Sequence, residues 1–461
     1  MAKKTATQKT FAKIGKGINR SEKHAFNVAK AALNYKTYNR AVRLLGPGLV
    51  TGAADDDPSG VATYSQAGAM FGFGLLWAFP VKYPLLLAVQ ETCANIGAVT
   101  GKGLAAIIKD HYSKKLLYVV VGLVVMANVV NIGADIGAMA STAQLLVPLS
   151  YTLLAIGFTI SIVLLQIFVK YRTYAKILKW LAIVLLAYPL TAIMVGVDWG
   201  AAMKATFTPD LMSFSNGELY MLVAMLGTTI SPYLFFWDTS ETVEEEILHK
   251  RLAANGLNQP KISKRFMHKI RLDNFAGMTI ALVSAWFIVV ACASALNAHG
   301  LTQINTAADA AKAFEPLLAG TGNSGFWAKV LFSVGIIGVG LLAVPVLAGS
   351  SAYAISEVFG WREGLHLKYK RAGGFYLTII IATIVGLGLN FVGIDPIKAL
   401  IFSAVFNAIA AVPLLFLIAR IGARSDIMGE YKNKILVTLF VWLAFIAMAA
   451  ACLVLLFSYI K

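Results

Sequence analysis

Uninterrupted apolar runs recur along this chain, and several reach the roughly 20 residues that a helix needs to cross about 30 Å of hydrocarbon. No other feature narrows the fold so far. A backbone in lipid has to satisfy its own N–H and C=O groups, and an α-helix does so along its whole length. With 58% apolar and only 14% charged residues, too few polar side chains remain to clothe the water-facing surface of a 461-residue protein. Apolar runs and turn signals predict eleven spans, near 45–70, 73–99, 116–144, 151–169, 177–197, 216–240, 273–298, 325–355, 373–392, 396–419 and 435–460. The expectation is an all-α membrane protein, with a basic tail over 1–43 and a single transmembrane domain over 44–461.

The net charge of +17 invites a nucleic-acid reading until the 40 Lys and Arg are placed. Eleven lie in the tail and 23 in alternate loops. The opposite side keeps five, Lys204, Lys312, Lys329, Lys398 and Lys461, and Lys82 falls inside a span. By the positive-inside rule the N-terminus is cytoplasmic and, with an odd span count, the C-terminus is extracellular. The expected surroundings are the lipid bilayer of the plasma membrane, and no nucleic-acid partner is expected. Cys93, Cys292 and Cys452 all fall in apolar spans without paired spacing, which indicates neither a disulfide framework nor a thiolate site. No cleavable signal peptide is visible. There is no Walker-type glycine loop followed by Lys and no His-Glu-x-x-His or Gly-x-Ser-x-Gly signature, so neither an enzyme nor a bound cofactor is expected.

Two spans violate the pattern of a clean membrane helix. In the first, Gly52-Ala53-Ala54-Asp55-Asp56-Asp57-Pro58-Ser59-Gly60 places three carboxylates and a proline at mid-membrane depth. Charges there are costly and normally face a cavity. In the sixth, Gly227-Thr228-Thr229-Ile230-Ser231-Pro232-Tyr233 sits at similar depth. Pro58 and Pro232 are 174 residues apart and five spans follow each start. A five-span unit repeated once must reverse its topology, the inverted-repeat plan of many secondary transporters, whose site lies between the two broken helices. The repeats cover about 45–197 and 216–419, and 435–460 is an extra helix. The first halves of both broken spans end at the breaks and present helix C-terminal carbonyls, near Ala54 and Thr228, beside the three aspartates. Such a site favours a cation.

The run Gly46-Pro47-Gly48, Asp57-Pro58-Ser59-Gly60, Gln66-Ala67-Gly68-Ala69, Phe71-Gly72-Phe73, Leu75-Leu76-Trp77, Gln90 and Gly97-Ala98-Val99-Thr100-Gly101 closely resembles the first two helices of Nramp-type divalent metal transporters. The resemblance implies a LeuT-type 5+5 inverted repeat. It also implies a metal site built from an Asp-Pro-Gly-Asn motif in the first helix and a Met-Pro-His motif in the sixth. Here Asp57 keeps the carboxylate, while Gly60 stands at the Asn position, Ser231 at the Met position and Tyr233 at the His position. That pattern is similar to the Nramp-related magnesium transporter branch. The chemistry agrees with it: a thioether favours soft ions, whereas carboxylate, carbonyl, hydroxyl and water suit Mg²⁺ and Mn²⁺. Mg²⁺ sheds water reluctantly and is usually held through one or two carboxylates. The expected site is a wide cavity around a hydrated Mg²⁺ or Mn²⁺, formed by Asp57, the Ala54 and Thr228 carbonyls, Ser231 and the space at Gly60.

Proton-coupled relatives carry histidines in the sixth helix. All six here, His24, His111, His249, His268, His299 and His366, fall in the tail or loops, and Asp238 replaces the second of the family pair. The expectation is transport without obligatory proton coupling. Asp238, Glu241 and Glu245 share one helical face; they either line an inward vestibule, to which Asp55 and Asp56 also belong, or form a solvated helix end with Glu244 and Glu246 facing the basic loop. Asn128, Asn131 and Asp135 share a face of the third span, as cavity lining or as interhelical hydrogen-bonding groups. Lys82 either meets Glu91 or a first-span Asp, or snorkels. Asn407 and Ala404 are both left outside the ion's contacts. The alternatives are a proton-coupled Mn²⁺/Fe²⁺ symporter of ordinary Nramp type and a cation channel. Paired broken helices favour a self-contained monomer over the symmetric ring of a channel.

Overall fold

The computed structural model describes residues 51–52, 54–169, 187–209, 215–248, 252 and 262–460. The tail expected over 1–43, the start of the first predicted span and the first half of the fifth lie outside these residues. Regular structure among the described residues is helical throughout. The main helices are α1 (Pro58–Phe71), α2 (Ala78–Thr100), α3 (Leu104–His111), α4 (Lys114–Ala143), α5 (Tyr151–Phe168), α6 (Ala187–Met194) and α7 (Trp199–Phe207) in the first half. The second half contributes α8 (Asn216–Thr229), α9 (Pro232–Leu248), α10 (Lys264–Ala295), α11 (Ser324–Phe359), α12 (Gly373–Leu389), α13 (Pro396–Ala423) and α14 (Ile435–Ile460).

Seven described segments are long and apolar enough to cross a membrane, with α8 and α9 together forming one of them. The expected count of eleven is not reached on that criterion, for local reasons. α2 carries Lys82 and Glu91, α12 has only 17 residues, and the first and fifth spans are only partly described. α7 lies where the sequence pattern suggested only a loop; Asp198 starts it by accepting from Ala201 N at 2.9 Å. Polar caps set other starts. Ser113 accepts from Leu116 N ahead of α4, a reciprocal Ser215/Glu218 capping box opens α8, and Asp395 followed by Pro396 opens α13.

The packing has the symmetry of an inverted repeat. α1, the second half of the first broken span, lies against α10; α9, the second half of the sixth, lies against α2. Exchanging the repeats exchanges these two pairs. α4 forms a central post in contact with α11, α12 and α13, while α8 packs on α13 and α14. Side chains such as Ile160, Leu164, Leu439, Leu453 and Phe457 remain exposed on α5 and α14, as lipid-facing surfaces require.

Close approach of backbones depends on glycine at Gly227, where a Cβ would stand 2.0 Å from the Ala404 carbonyl and 2.7 Å from Ala408 N. Neither atom is a flexible side-chain end, so α8 and α13 would have to separate. Gly227→Val is expected to destabilise the purified protein by more than the roughly 1–3 kcal/mol typical of overpacking. Gly122→Ala, where a Cβ meets nothing within 4 Å, is expected to leave thermal unfolding unchanged or slightly raised. Equal melting temperatures for the two variants would contradict this packing.

Candidate functional site

The first break begins where residues 54 and 55 are still helical; Asp56 and Asp57 leave the helix and α1 starts at Pro58. Asp57 is the N-cap of α1, with extended backbone at φ −66° and ψ 171°. Its Oδ1 accepts from Gly60 N and from Ser59 Oγ, both at 2.7 Å, and its Oδ2 accepts from Asn131 Nδ2 at 2.8 Å. Asn131 is itself held, since Ser403 Oγ donates to its Oδ1 at 2.6 Å. Elements from three predicted spans thus fix one carboxylate that is 1% exposed. A proline at the first position of α1 costs no hydrogen bond, because that N–H would have no helical partner.

The second break falls between α8 and α9. Ile230 departs from helical geometry at φ −104° and ψ 63°, and Ser231 Oγ donates back to the carbonyls of Gly227 at 2.8 Å and Thr228 at 2.7 Å. The side chain thus satisfies carbonyls freed by the interruption. The two breaks are joined directly. Tyr233 OH donates to the Ala54 carbonyl at 2.9 Å, and a Cβ on Gly60 would lie 3.1 Å from Thr228 Oγ1 and 3.4 Å from Asp57 Oδ1.

All five expected site residues, Asp57, Ala54, Gly60, Thr228 and Ser231, therefore stand within one buried cluster. Their contacts are more specific than the sequence implied. The Ala54 and Thr228 carbonyls each already accept one hydrogen bond and offer their second lone pair, while Thr228 Oγ1 has no partner among the described residues. Asp55 and Asp56 are each 3% exposed and lie in the field of Lys82. Lys82 does not snorkel, and Glu91 pairs instead with Arg271 at 2.6 Å. The Lys82 Nζ donates to Thr229 Oγ1 at 2.8 Å and Tyr64 OH at 3.3 Å, and lies 4.1 Å from the Phe79 ring centroid. This buried ammonium ties α2 to both sides of the junction.

The acidic face of α9 divides. Asp238 turns away towards α10 and accepts from Asn274 Nδ2 at 2.9 Å, and Glu245 pairs with Lys269 at 2.5 Å. Glu244 accepts from Tyr353 OH, from Leu365 N at 2.5 Å and from His366 Nδ1 at 3.3 Å. Glu244, Glu245 and Glu246 are buried, so the helix end is packed against the loop after α11 rather than solvated. Of the third-span trio, Asn131 binds Asp57, and Asn128 Nδ2 bonds Ser351 Oγ at 2.9 Å and the Leu347 carbonyl at 3.2 Å. Asn407 is fully buried, with neither amide atom bonded among the described residues. Sequence reasoning missed Ser403 and Tyr64 and gave Thr229, part of the second break, no separate role; a lone hydroxyl in an apolar run was the only signal for the first two.

The model for the family described as "Natural resistance-associated macrophage protein-like" matches residues 48–458, nearly the whole chain. The chain belongs to the Nramp family. Among Nramp-type relatives, the divalent metal cation transporter MntH of Deinococcus radiodurans is 28% identical over 443 residues, covering 91% of this chain and 92% of its own. MntH 1 of Pseudomonas aeruginosa is 24% identical over 425 residues, covering 90% and 91%. The crystal structure of an Eremococcus coleocola manganese transporter aligns with a TM-score of 0.72 at 17% identity, over 91% of this chain and 87% of that one. MhsT in complex with L-phenylalanine aligns at 0.59 and 14% identity, over 89% and 98%. The likeness to these structures places the Nramp chain in the LeuT-type fold, an all-α membrane architecture.

Asn131→Leu leaves a buried oxygen of Asp57 without its donor, and is expected to lower stability by about 1.5–3 kcal/mol, the range for hydrogen bonds to charged groups. Ser403→Ala, one step further out, should cost about 1 kcal/mol. Thermal unfolding of the purified variants checks both, and an unchanged melting temperature for Asn131→Leu would contradict the assigned contact.

Proposed function

We propose that this protein imports hydrated Mg²⁺, and secondarily Mn²⁺, across the plasma membrane by alternating access, as a monomer with a cytoplasmic N-terminus and an extracellular C-terminus. The observation that carries this reading is the donor set at the joined breaks. Asp57, the second lone pairs of the Ala54 and Thr228 carbonyls, and the Thr228 hydroxyl are hard oxygen donors. Ser231 stands where soft-metal-selective relatives carry a thioether, and Gly60 brings the Thr228 hydroxyl close to Asp57, a Cβ there lying only 3.1 Å from Thr228 Oγ1. An ion that keeps most of its water needs few direct ligands.

Transport is driven by the cation gradient and the membrane potential, which acts on a dication with about 4.6 kcal/mol per 100 mV. Lack of obligatory proton coupling is supported by the placement of the described histidines. His111 ends α3, His268 lies in the first turns of α10, His299 follows α10, and His366 binds Glu244. The second reading, proton-coupled Mn²⁺ or Fe²⁺ symport, is favoured by the similarity to proteins named MntH and manganese transporter.

Proteoliposomes discriminate the two. An inside-negative voltage should drive saturable Mg²⁺ uptake with constant internal pH, and accumulation driven by a pH gradient alone would favour the symporter. Asp57→Ala should abolish uptake. Ser231→Met should raise the preference for Cd²⁺ over Mg²⁺ by about tenfold or more, in keeping with thioether softness; an unchanged preference would place that side chain away from the ion.

A further inference from the structure

The four buried carboxylates at the junction fall into two pairs. Asp55 and Asp56 both lie in the field of the Lys82 ammonium. Asp57 and Asp135 do not: among the described residues, the groups acting on Asp135 are the Asp57 carboxyl and the Ser59 amide, and no cation is among them. Asp135 is 0% exposed, and neither of its oxygens makes a hydrogen bond of good geometry with a described residue; the Ser59 amide is the donor turned towards it. Leaving both oxygens of a fully buried carboxyl unbonded is costly, and a native structure that does so calls for a ligand or another explanation.

Geometry says where that group points. Asp135 is four residues beyond Asn131 on α4, one helical turn along the same face, and Asn131 touches Asp57 at 2.8 Å. The next turn faces the start of α1, where Asp135 meets Ser59. Tyr233, whose hydroxyl marks the junction of the breaks, feels Asp57, Asp55 and Asp135 together. Asp57 and Asp135 thus act on one another and on Tyr233 from two different elements, and no protein cation is among the groups acting on either.

We infer that Asp135 is a second carboxylate of the ion site, facing Asp57 across the first turn of α1, and that this pair sets the preference for divalent over monovalent cations. Two like charges in a buried site repel strongly unless a cation lies between them, and a dication balances both where a monovalent ion balances one. Asp135 takes either a direct bond or a water of the hydrated ion. Lys82 meanwhile offsets the other two aspartates. The inference rests on the transport reading above and adds a determinant that the Nramp resemblance does not supply.

The test is binding of Mg²⁺, and of Mn²⁺ read by electron paramagnetic resonance, to the purified full-length protein, with Na⁺ and K⁺ as competitors. Asp135→Asn keeps size and shape and is expected to raise the Kd for both dications at least tenfold while narrowing the margin over monovalent ions. Asp135→Glu should restore part of both. The melting temperature without ions should not fall in Asp135→Asn, whereas its rise on adding Mg²⁺ should shrink. Unchanged Kd and competition in Asp135→Asn, with binding lost in Asp57→Asn, would overturn the role of Asp135 and leave the Asp57 site standing. Wild-type binding in Asp57→Asn as well would overturn both.

Discussion

The whole centre depends on a membrane helix that stops at Asp57. A helix interrupted in hydrocarbon exposes N–H and C=O groups that water cannot reach, each costing several kcal/mol if left unpaired. The chain resolves this with its own side chains. Asp57 accepts the orphan Gly60 N–H at the start of α1, Ser231 takes the carbonyls left at the end of α8, and Tyr233 takes the carbonyl of Ala54. The groups that make the breaks tolerable are the same groups that the proposed ion site uses. On that proposal a substitution there acts on fold and transport together.

The charge at the centre is held in two steps. Lys82 brings a buried ammonium from α2 to the hydroxyls of Thr229 and Tyr64 and into the field of Asp55 and Asp56. Asn131 and Ser403 hold Asp57 from the opposite side through neutral donors, which orient the carboxylate without cancelling its charge. An oriented and uncancelled carboxylate suits a cation ligand. Around it, α1 on α10 and α9 on α2 repeat one packing in inverted form, so each broken helix is braced by a continuous helix of the other repeat.

Much of this was legible in the sequence, because lipid removes alternatives. Apolar runs of span length, two interruptions at matching places and an excess of intramembrane acid lead to the inverted repeat and to Asp57, Thr228 and Ser231 with little freedom. What could not be read is which way a polar side chain turns on a helix buried on all sides. Asp238, Glu241 and Glu245 share a face by spacing, yet Asp238 turns to Asn274 and Glu245 to Lys269, because the face meets two different neighbours along its length. Ser403 looks like an ordinary small residue in an apolar span until Asn131 is seen opposite it. The helix α7 was missed because nine residues between predicted spans carry too short a pattern to separate from a loop.

Anomalous diffraction from crystals of the protein grown with Mn²⁺ locates the ion directly. The expected outcome is a peak beside the Asp57 carboxyl, within reach of the Thr228 hydroxyl and surrounded only by oxygen. A peak bound elsewhere, or a map in which the first and sixth spans run on as continuous helices, would contradict it.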